Sequence, residues 1–349
     1  MPQGKLWNSW DMKHSNISIF IPHVGCPHQC SFCDQRTISG AQHLPDGNEV
    51  REICRKALGE VKSPENTEIA FFGGSFTAIP RDYMLELLSA AAQFVGEGKF
   101  RGIRCSTRPD CISREVLSIL KMYGVTAIEL GAQSMDDEVL AANERGHTSE
   151  DVRRACSLIK EAGFELGLQM MTGLYKSSKK SDIDTAKALI SLAPDTLRIY
   201  PVVVLKGTKL AELYESGEYV PAPFDEMVER CAFIMNYARM YHENVRIIKC
   251  GLHASEFVEQ DMVAGYYHPA FRELCESMIY RAVIQAEIFF YFDDVSECRS
   301  ITAAVNSREI SKAVGQNRSN INYFRELGTE LKIIGDERIP VYKCVLLRR

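Results

Sequence analysis

Short apolar runs alternate with amphipathic stretches along most of the chain. The runs fall at residues 18–22 (SIFIP), 68–74 (EIAFFGG), 102–107 (GIRCST), 127–134 (AIELGAQS), 164–171 (FELGLQMM) and 196–204 (TLRIYPVVV). Each is bounded by Gly, Pro or polar residues, as buried parallel strands are. Between them, residues 48–61, 82–95, 113–124, 149–163 and 181–193 place apolar side chains three and four apart, which predicts helices with one buried face. Several open on Ser or Asp and close on Gly, the residues that satisfy free helix ends. Strands alternating with helices give an α/β fold with a parallel sheet. A repeat of roughly 30–35 residues fits a full or partial (βα)6 barrel.

After Pro221 the pattern changes. Longer helices are predicted at 224–242 and 269–290, with a further strand at 245–250. The tail, SREISKAVGQNRSNINYFREL, reads as two short helices joined at Gly315, the outline of a helix-turn-helix. Ile310, Val314, Ile321 and Phe324 would face inward, with Lys312, Gln316, Arg318 and Asn320 outward. The expected division is a barrel over 1–250, a covering segment over 251–298 and a small basic helical extension over 299–349. A helical cap over the barrel is the alternative to nucleic-acid contact for that extension.

Charge supports the division. The whole chain carries a net charge of −5, which argues against a nucleic-acid coat over the entire surface. From Arg299 onward there are 10 Lys and Arg against 5 Asp and Glu, so the tail is basic and the rest acidic. No apolar run approaches the roughly 18 residues of a membrane span. The first residues lack the apolar core of a signal peptide, so a cytoplasmic location is expected and no membrane partner.

Twelve cysteines are too few for a disulfide scaffold in 349 residues, and in a reducing compartment clustered cysteines mean metal or redox chemistry. Cys26, Cys30 and Cys33 form C-x3-C-x2-C directly after the first strand. A loop rich in Pro, His, Gln and Asp is a poor core segment. A structural zinc site would need a fourth ligand, and His23, His28 and Asp34 stand at no usual zinc spacing. Three thiolates with one position left open suit a catalytic iron–sulfur centre. Cys54, Cys156, Cys231 and Cys275 fall on apolar helix faces. Cys105, Cys111, Cys250, Cys298 and Cys344 show no ligand spacing, so a second cluster is not expected.

CPHQCSFCDQRTISG, FFGGSFT (71–77), IELGAQSMDDEVLAANERGHT (128–148), GLQMMTGL (167–174), RIYPVVVLKGTKLAELYESGEYVP (198–221) and VRIIKCGLHAS (245–255) resemble the radical S-adenosylmethionine superfamily. Within it they are similar to the branch that contains the catalytic subunit of Elongator. The resemblance spans roughly 17–280 and implies a partial parallel barrel. It also implies a [4Fe-4S] cluster on Cys26, Cys30 and Cys33, with S-adenosylmethionine chelated to the fourth iron and cleaved to a 5′-deoxyadenosyl radical. An electron donor such as flavodoxin or ferredoxin is implied as well.

The motifs sit at strand ends, where such a barrel places its active groups. Gly73, Gly74 and Ser75 close strand two, and bare glycine backbone can approach the methionine amino group. Ser106 and Arg108 end strand three. Glu129, Gln133 and Ser134 on strand four could bond ribose or carboxylate. Gln169 with Met171 on strand five and Arg198 and Tyr200 on strand six complete the cofactor set. No catalytic acid or base is evident. Arg145, Gly146 and His147 form a cap turn or line the substrate mouth, and His253 is catalytic or structural. Two departures from the branch stand out. Thr172 replaces an expected proline, and a chain stopping at Arg349 is not expected to hold an acetyltransferase domain. The leading substrate is tRNA, the second a small organic molecule as in porphyrinogen oxidation. The third alternative is a non-enzymatic iron–sulfur sensor.

Overall fold

A computed structural model describes residues 15–22, 24, 26, 29–34, 37–38, 40, 43–252, 255–292 and 299–347. The first half runs β1 (Ser15–Ile21), α1 (Gly47–Glu60), β2 (Thr67–Gly73), α2 (Arg81–Ala92), β3 (Gly102–Thr107), α3 (Arg114–Met122), β4 (Val125–Gln133), α4 (Asp137–Ala142), α5 (Ser149–Glu161), β5 (Glu165–Thr172) and α6 (Lys179–Ser191). It continues with β6 (Thr196–Pro201), β7 (Val203–Leu205), α7 (Lys209–Glu215), α8 (Phe224–Tyr241), β8 (Arg246–Cys250), α9 (Glu256–Asp261), β9 (Met262–Gly265) and α10 (Phe271–Tyr291). The tail holds β10 (Ser300–Val305), α11 (Ile310–Val314), α12 (Ser319–Glu326), β11 (Glu330–Gly335) and β12 (Cys344–Leu347).

The main sheet has seven strands in the order β1-β2-β3-β4-β5-β6-β8, every neighbouring pair parallel. This is the expected α/β half-barrel of six βα strands plus the further strand. Local chemistry sets the helix starts. Asp46 and Glu49 form a reciprocal capping box on α1, as Thr148 and Asp151 do on α5. Gly124 and Gly163 end the turns after α3 and α5 at positive φ, 80° and 75°, a conformation that costs glycine little.

The two faces of the sheet differ in chemistry. Ile103, Cys105, Ile128, Leu130, Leu166, Leu168, Leu197 and Ile199 pack with Leu87, Leu120, Val152, Ile159 and Leu189 of the helices in one apolar core. Each such side chain contributes about 1.5–3 kcal/mol when buried. The alternate positions, Arg104, Glu129, Gln169 and Arg198, carry polar groups and meet one another on the other face. The strands are buried on both faces, yet only one face is apolar.

The tail departs from the helical expectation. Its two helices occur, with Gly315 between them at φ 81°. They are built onto a mixed three-stranded sheet, β11-β10-β12. Ile321 and Phe324 are buried and Ile310 and Val314 pack against the same core, as the inner-face pattern predicts. Asn320 and Lys312 do not lie outward. Asn320 is fully buried, donating to Ser277 O and Ala313 O at 2.9 Å each and accepting from Arg281. Lys312 pairs with Glu276 and Glu309 at 3.0 Å. Helix α10 serves both cores. Phe271, Cys275 and Ile279 belong to the main one, and Tyr280, Ile284 and Ile288 to the tail.

Candidate active site

The cysteine loop leaves β1 at the carboxyl end of the sheet. Cys30 is buried, while Cys26 and Cys33 are half-buried. The Cys33 amide donates to Cys30 O at 3.1 Å, closing a turn. Ser31 fastens the loop on two sides. Its hydroxyl donates to Asn143 Oδ1 at 2.9 Å, and its carbonyl accepts from the Leu210 amide at 2.8 Å. Asn143 itself is fully buried and donates to Val139 O and Tyr175 O.

Two arginines stand over the thiols. Arg145 Nη1 donates to Cys30 Sγ at 3.0 Å, and its Nη2 donates to Gly131 O at 2.6 Å. Arg108 is paired with Asp110 through both Nε and Nη2 at 3.0 Å and also donates to Arg145 O. Burial raises the Cys26 thiol, opposed by the Ser75 amide and by Arg108 and Arg145. Arg145, read from the sequence as a cap or mouth residue, thus touches the cysteine loop. Cys111 comes near it as well: burial and Asp110 push its thiol up, and Cys26 is close enough to add to that. Neither contact has a sequence signal, because β3, β4 and the cysteine loop meet only in the fold.

Gly73 and Gly74 bring the end of β2 against the same loop. Gly73 has φ 112°, and a Cβ there would lie 2.8 Å from Ile21 O; one at Gly74 would lie 2.3 Å from Val24 O. The Gly74 amide donates to Ile21 O at 2.7 Å. Ser75 Oγ accepts from the Arg108 amide at 3.0 Å, joining the ends of β2 and β3.

Inside the half-barrel the predicted Glu129, Gln169, Ser106 and Arg198 join a ladder with Arg104, Glu68 and Glu165, which carry no signal in the sequence. Arg104 reaches Glu68 at 2.7 Å, Glu165 at 2.8 Å and Glu129 at 3.3 Å. Glu129 also binds Arg198 at 2.7 Å and accepts from Gln169 at 2.8 Å, and Gln169 reaches Ser106 at 3.4 Å. Burial works against the Glu129 charge, but Arg198, Arg104 and Gln169 hold its carboxyl below the ordinary range. Burial pushes the Tyr200 hydroxyl up, opposed by the neighbouring Arg198 charge. Glu129 and Arg198 are therefore committed to each other. Gln133, at φ 64°, keeps a buried Oε1 without a protein partner. Ser134 turns away from this set and bonds Thr185 of α6 at 3.2 Å.

Behind the ladder, the His147 Nε2 bonds Ala132 O at 3.1 Å and its Nδ1 has no partner. Thr148, not Ser149, caps α5. The loop after Thr172 is held by Asp182, which accepts from the Gly173 amide at 2.8 Å and from Arg230 at 2.7 Å. His23, His28, His253 and Cys298 lie outside the described residues. Among the described residues, no three His, Cys, Asp or Glu side chains converge as a metal-ligand set. No described helix is long and apolar enough to cross a membrane. A cavity of about 290 Å³ lies apart from these groups, in the tail, lined by Arg318, Arg325, Glu330 and Lys332 among others.

Residues 20–189 match the Radical SAM superfamily and residues 194–281 the Radical SAM C-terminal domain. The tRNA uridine(34) acetyltransferase of Methanocaldococcus jannaschii is 36% identical over 266 residues, covering 64% of this chain and 48% of that protein. Elongator complex protein 3 of Homo sapiens is 32% identical over 210 residues, covering 53% of this chain and 38% of that protein. The chain thus spans half or less of these two relatives. Among solved structures, archaeal Methanocaldococcus infernus Elp3 superposes with a TM-score of 0.53 at 21% identity, over 70% of this chain and 61% of that one. At that identity the likeness is one of fold.

Proposed function

This chain belongs to the radical SAM superfamily and is an enzyme, and on that premise we propose that it binds a [4Fe-4S] cluster and S-adenosylmethionine and acts on a tRNA. Cys26, Cys30 and Cys33 would hold the cluster. Gly73, Gly74 and Ser75, the Ser106–Arg108 strand end, Gln133 and Tyr200 would hold S-adenosylmethionine. A reduced flavodoxin or ferredoxin would supply the electron.

The residues present suit both groups. Three thiols share one short loop, Cys30 under the Arg145 guanidinium, and would draw together around a cluster. Two buried polar atoms near the strand ends, Arg108 Nη1 and Gln133 Oε1, have no protein partner; buried polar groups are seldom left so. They offer one donor and one acceptor to a polar ligand with a carboxylate and hydroxyls. When bound, a cluster of this class supplies one electron that splits S-adenosylmethionine into methionine and a 5′-deoxyadenosyl radical able to take a hydrogen atom from substrate.

This chain's own residues do the positioning. Gly73 and Gly74 let the β2 end approach the cysteine loop, which any side chain would push away. The Glu68–Arg104–Glu129–Arg198 ladder fixes strands β2, β3, β4 and β6 relative to one another with its charges compensated. In a dry interior such compensation is required, because an unpaired charge is costly. Glu129 and Arg198 are thus assigned to framing the site, and Ser134 to the outer layer.

The observation that carries the reaction type is the cysteine loop at the carboxyl end of the parallel sheet, with Arg145 on Cys30. The tRNA reading rests on similarity to the tRNA uridine(34) acetyltransferase and on the basic tail. Anaerobic reconstitution with iron and sulfide tests the first part. Dithionite and S-adenosylmethionine should give 5′-deoxyadenosine and methionine with the native chain and none with Cys30→Ala. Equal yields from both would overturn it. Nucleoside profiling of tRNA from cells with and without the gene tests the second, and identical profiles would remove tRNA as substrate.

A further inference from the structure

We infer that Arg145 is a positioning residue that acts on the cluster through the Cys30 sulfur and sets how readily the cluster is reduced. The inference rests on the cluster assignment above and adds a residue outside the cysteine motif, 115 positions from the thiol it touches.

The geometry is that of a held charge. Arg145 is 7% exposed, so its guanidinium, a group proteins do not deprotonate, is nearly dry. One nitrogen donates to Cys30 Sγ at 3.0 Å and another to Gly131 O at 2.6 Å. The planar fork of an arginine makes the two bonds from two separate, fixed nitrogens, whereas a lysine would have to reach both acceptors from one nitrogen at the end of a flexible stem. The residue's backbone is also held, since its carbonyl accepts from Arg108 and its amide donates to Leu140 O at 3.0 Å. Arg108 is locked in turn by Asp110, which takes the Nε–Nη2 edge of its guanidinium. With its backbone fixed, the Arg145 guanidinium cannot swing away from Cys30 without also breaking its bond to Gly131 O of β4. Its third nitrogen, Nε, is buried without a partner, so the bonds to Gly131 and Cys30 alone orient the group.

A positive charge and an N–H on a cluster thiolate both favour the form with the extra electron. The potential of an iron–sulfur centre follows its net charge, its exposure and the hydrogen bonds to its sulfurs. In the Arg145 contact all three coincide at one sulfur. Reduction adds one negative charge to the centre, and a fixed, dry guanidinium stabilises that added charge more than it would in water. The expected consequence is that the native cluster is easier to reduce than one lacking Arg145.

The test is a potentiometric titration of the reconstituted full-length chain, read by electron paramagnetic resonance of the reduced cluster. Arg145→Met should lower the reduced-to-oxidised ratio at a fixed ambient potential about tenfold, which is ~59 mV for one electron. Arg145→Lys keeps the charge but not both hydrogen bonds, and should fall between Arg145→Met and the native chain. Iron lost from a variant that still melts as the native apo-protein does would also support action on the cluster. Equal midpoints in all three proteins would overturn the inference. Unfolding of both variants would make Arg145 a structural brace and overturn it as well. Failure of the native chain to show any reduced-cluster signal would instead strike the cluster assignment itself, a separable result.

Discussion

His147 lies two residues beyond Arg145 in the same turn, and its protonation can be reasoned residue by residue. The side chain is 4% exposed. The Ala132 carbonyl accepts from Nε2, so the proton sits there and Nδ1 is bare. Burial first, then the charges of Arg145 and Arg108, bring its pKa down to about 4, against smaller opposition from the Ala132 bond and Asp110. In the unfolded chain the same ring titrates near 6.5. Between these values the unfolded state binds more protons, so stability falls as pH falls from about 6.5 toward 4 and levels off below. The loss from this one ring is up to about 3 kcal/mol. His147→Gln can still donate to Ala132 O and has no such titration. Its melting temperature should change less between pH 7 and 4.5 than that of the native chain, and parallel curves for the two would refute the assignment.

At the scale of elements, the cysteine loop is stable only because other elements hold it. Asn143, at the end of α4, joins Ser31 of the loop to α4 itself and to Tyr175 beyond β5. Asn143→Ala leaves the Ser31 hydroxyl and the Tyr175 carbonyl without that partner, while Val139 O keeps the residue-143 amide, at about 1–3 kcal/mol for each group left buried and unpaired. Asn143→Asp should be worse than Ala, because an acceptor oxygen would then face the Val139 and Tyr175 carbonyls. Thermal unfolding and iron content after reconstitution should both rank native, Ala, Asp; a reversed order for Ala and Asp would discard the donor role. Much of the element plan is legible in the sequence. The run 102–107 is both predicted strand and observed β3, since its apolar residues are bounded by clear breakers. The three cysteines announce themselves by spacing. Arg145 and Cys111 do not, because their meeting with the loop depends on strand ends brought together by the sheet. The tail strands escape the pattern for another reason. SITAAV and ELKIIG are short, and the helical pattern between them dominates the segment. Asn320 and Lys312 read as outward because they are polar, and only the approach of α10, with Ser277 and Glu276, gives them buried partners.

For the whole molecule, the charge split acquires a location. The acidic part of the chain forms the half-barrel, and the basic tail packs on α10 as a compact unit; five of its ten cations form two sets. Lys312 and Arg338 are engaged by Glu276, Glu309 and Asp336. Arg318, Arg325 and Lys332 line the 290 Å³ cavity, opposed there by Glu330. Under the tRNA reading proposed above, this second set is the surface that would meet the RNA backbone. Deleting 299–349 is an unsuitable test of that surface. It would uncover Tyr280, Ile284 and Ile288 of α10, all now buried, and the resulting apolar patch would confound any binding measurement. Changing Arg318, Arg325 and Lys332 together to Gln leaves the apolar core in place. If each meets a phosphate, the slope of log affinity against log salt for tRNA should fall by about one for every cation removed. A drop of about two to three in the triple variant, with the melting temperature kept, is the expected result. An unchanged slope would show that the cavity meets no RNA and that the excess charge of the tail serves only its own solvation.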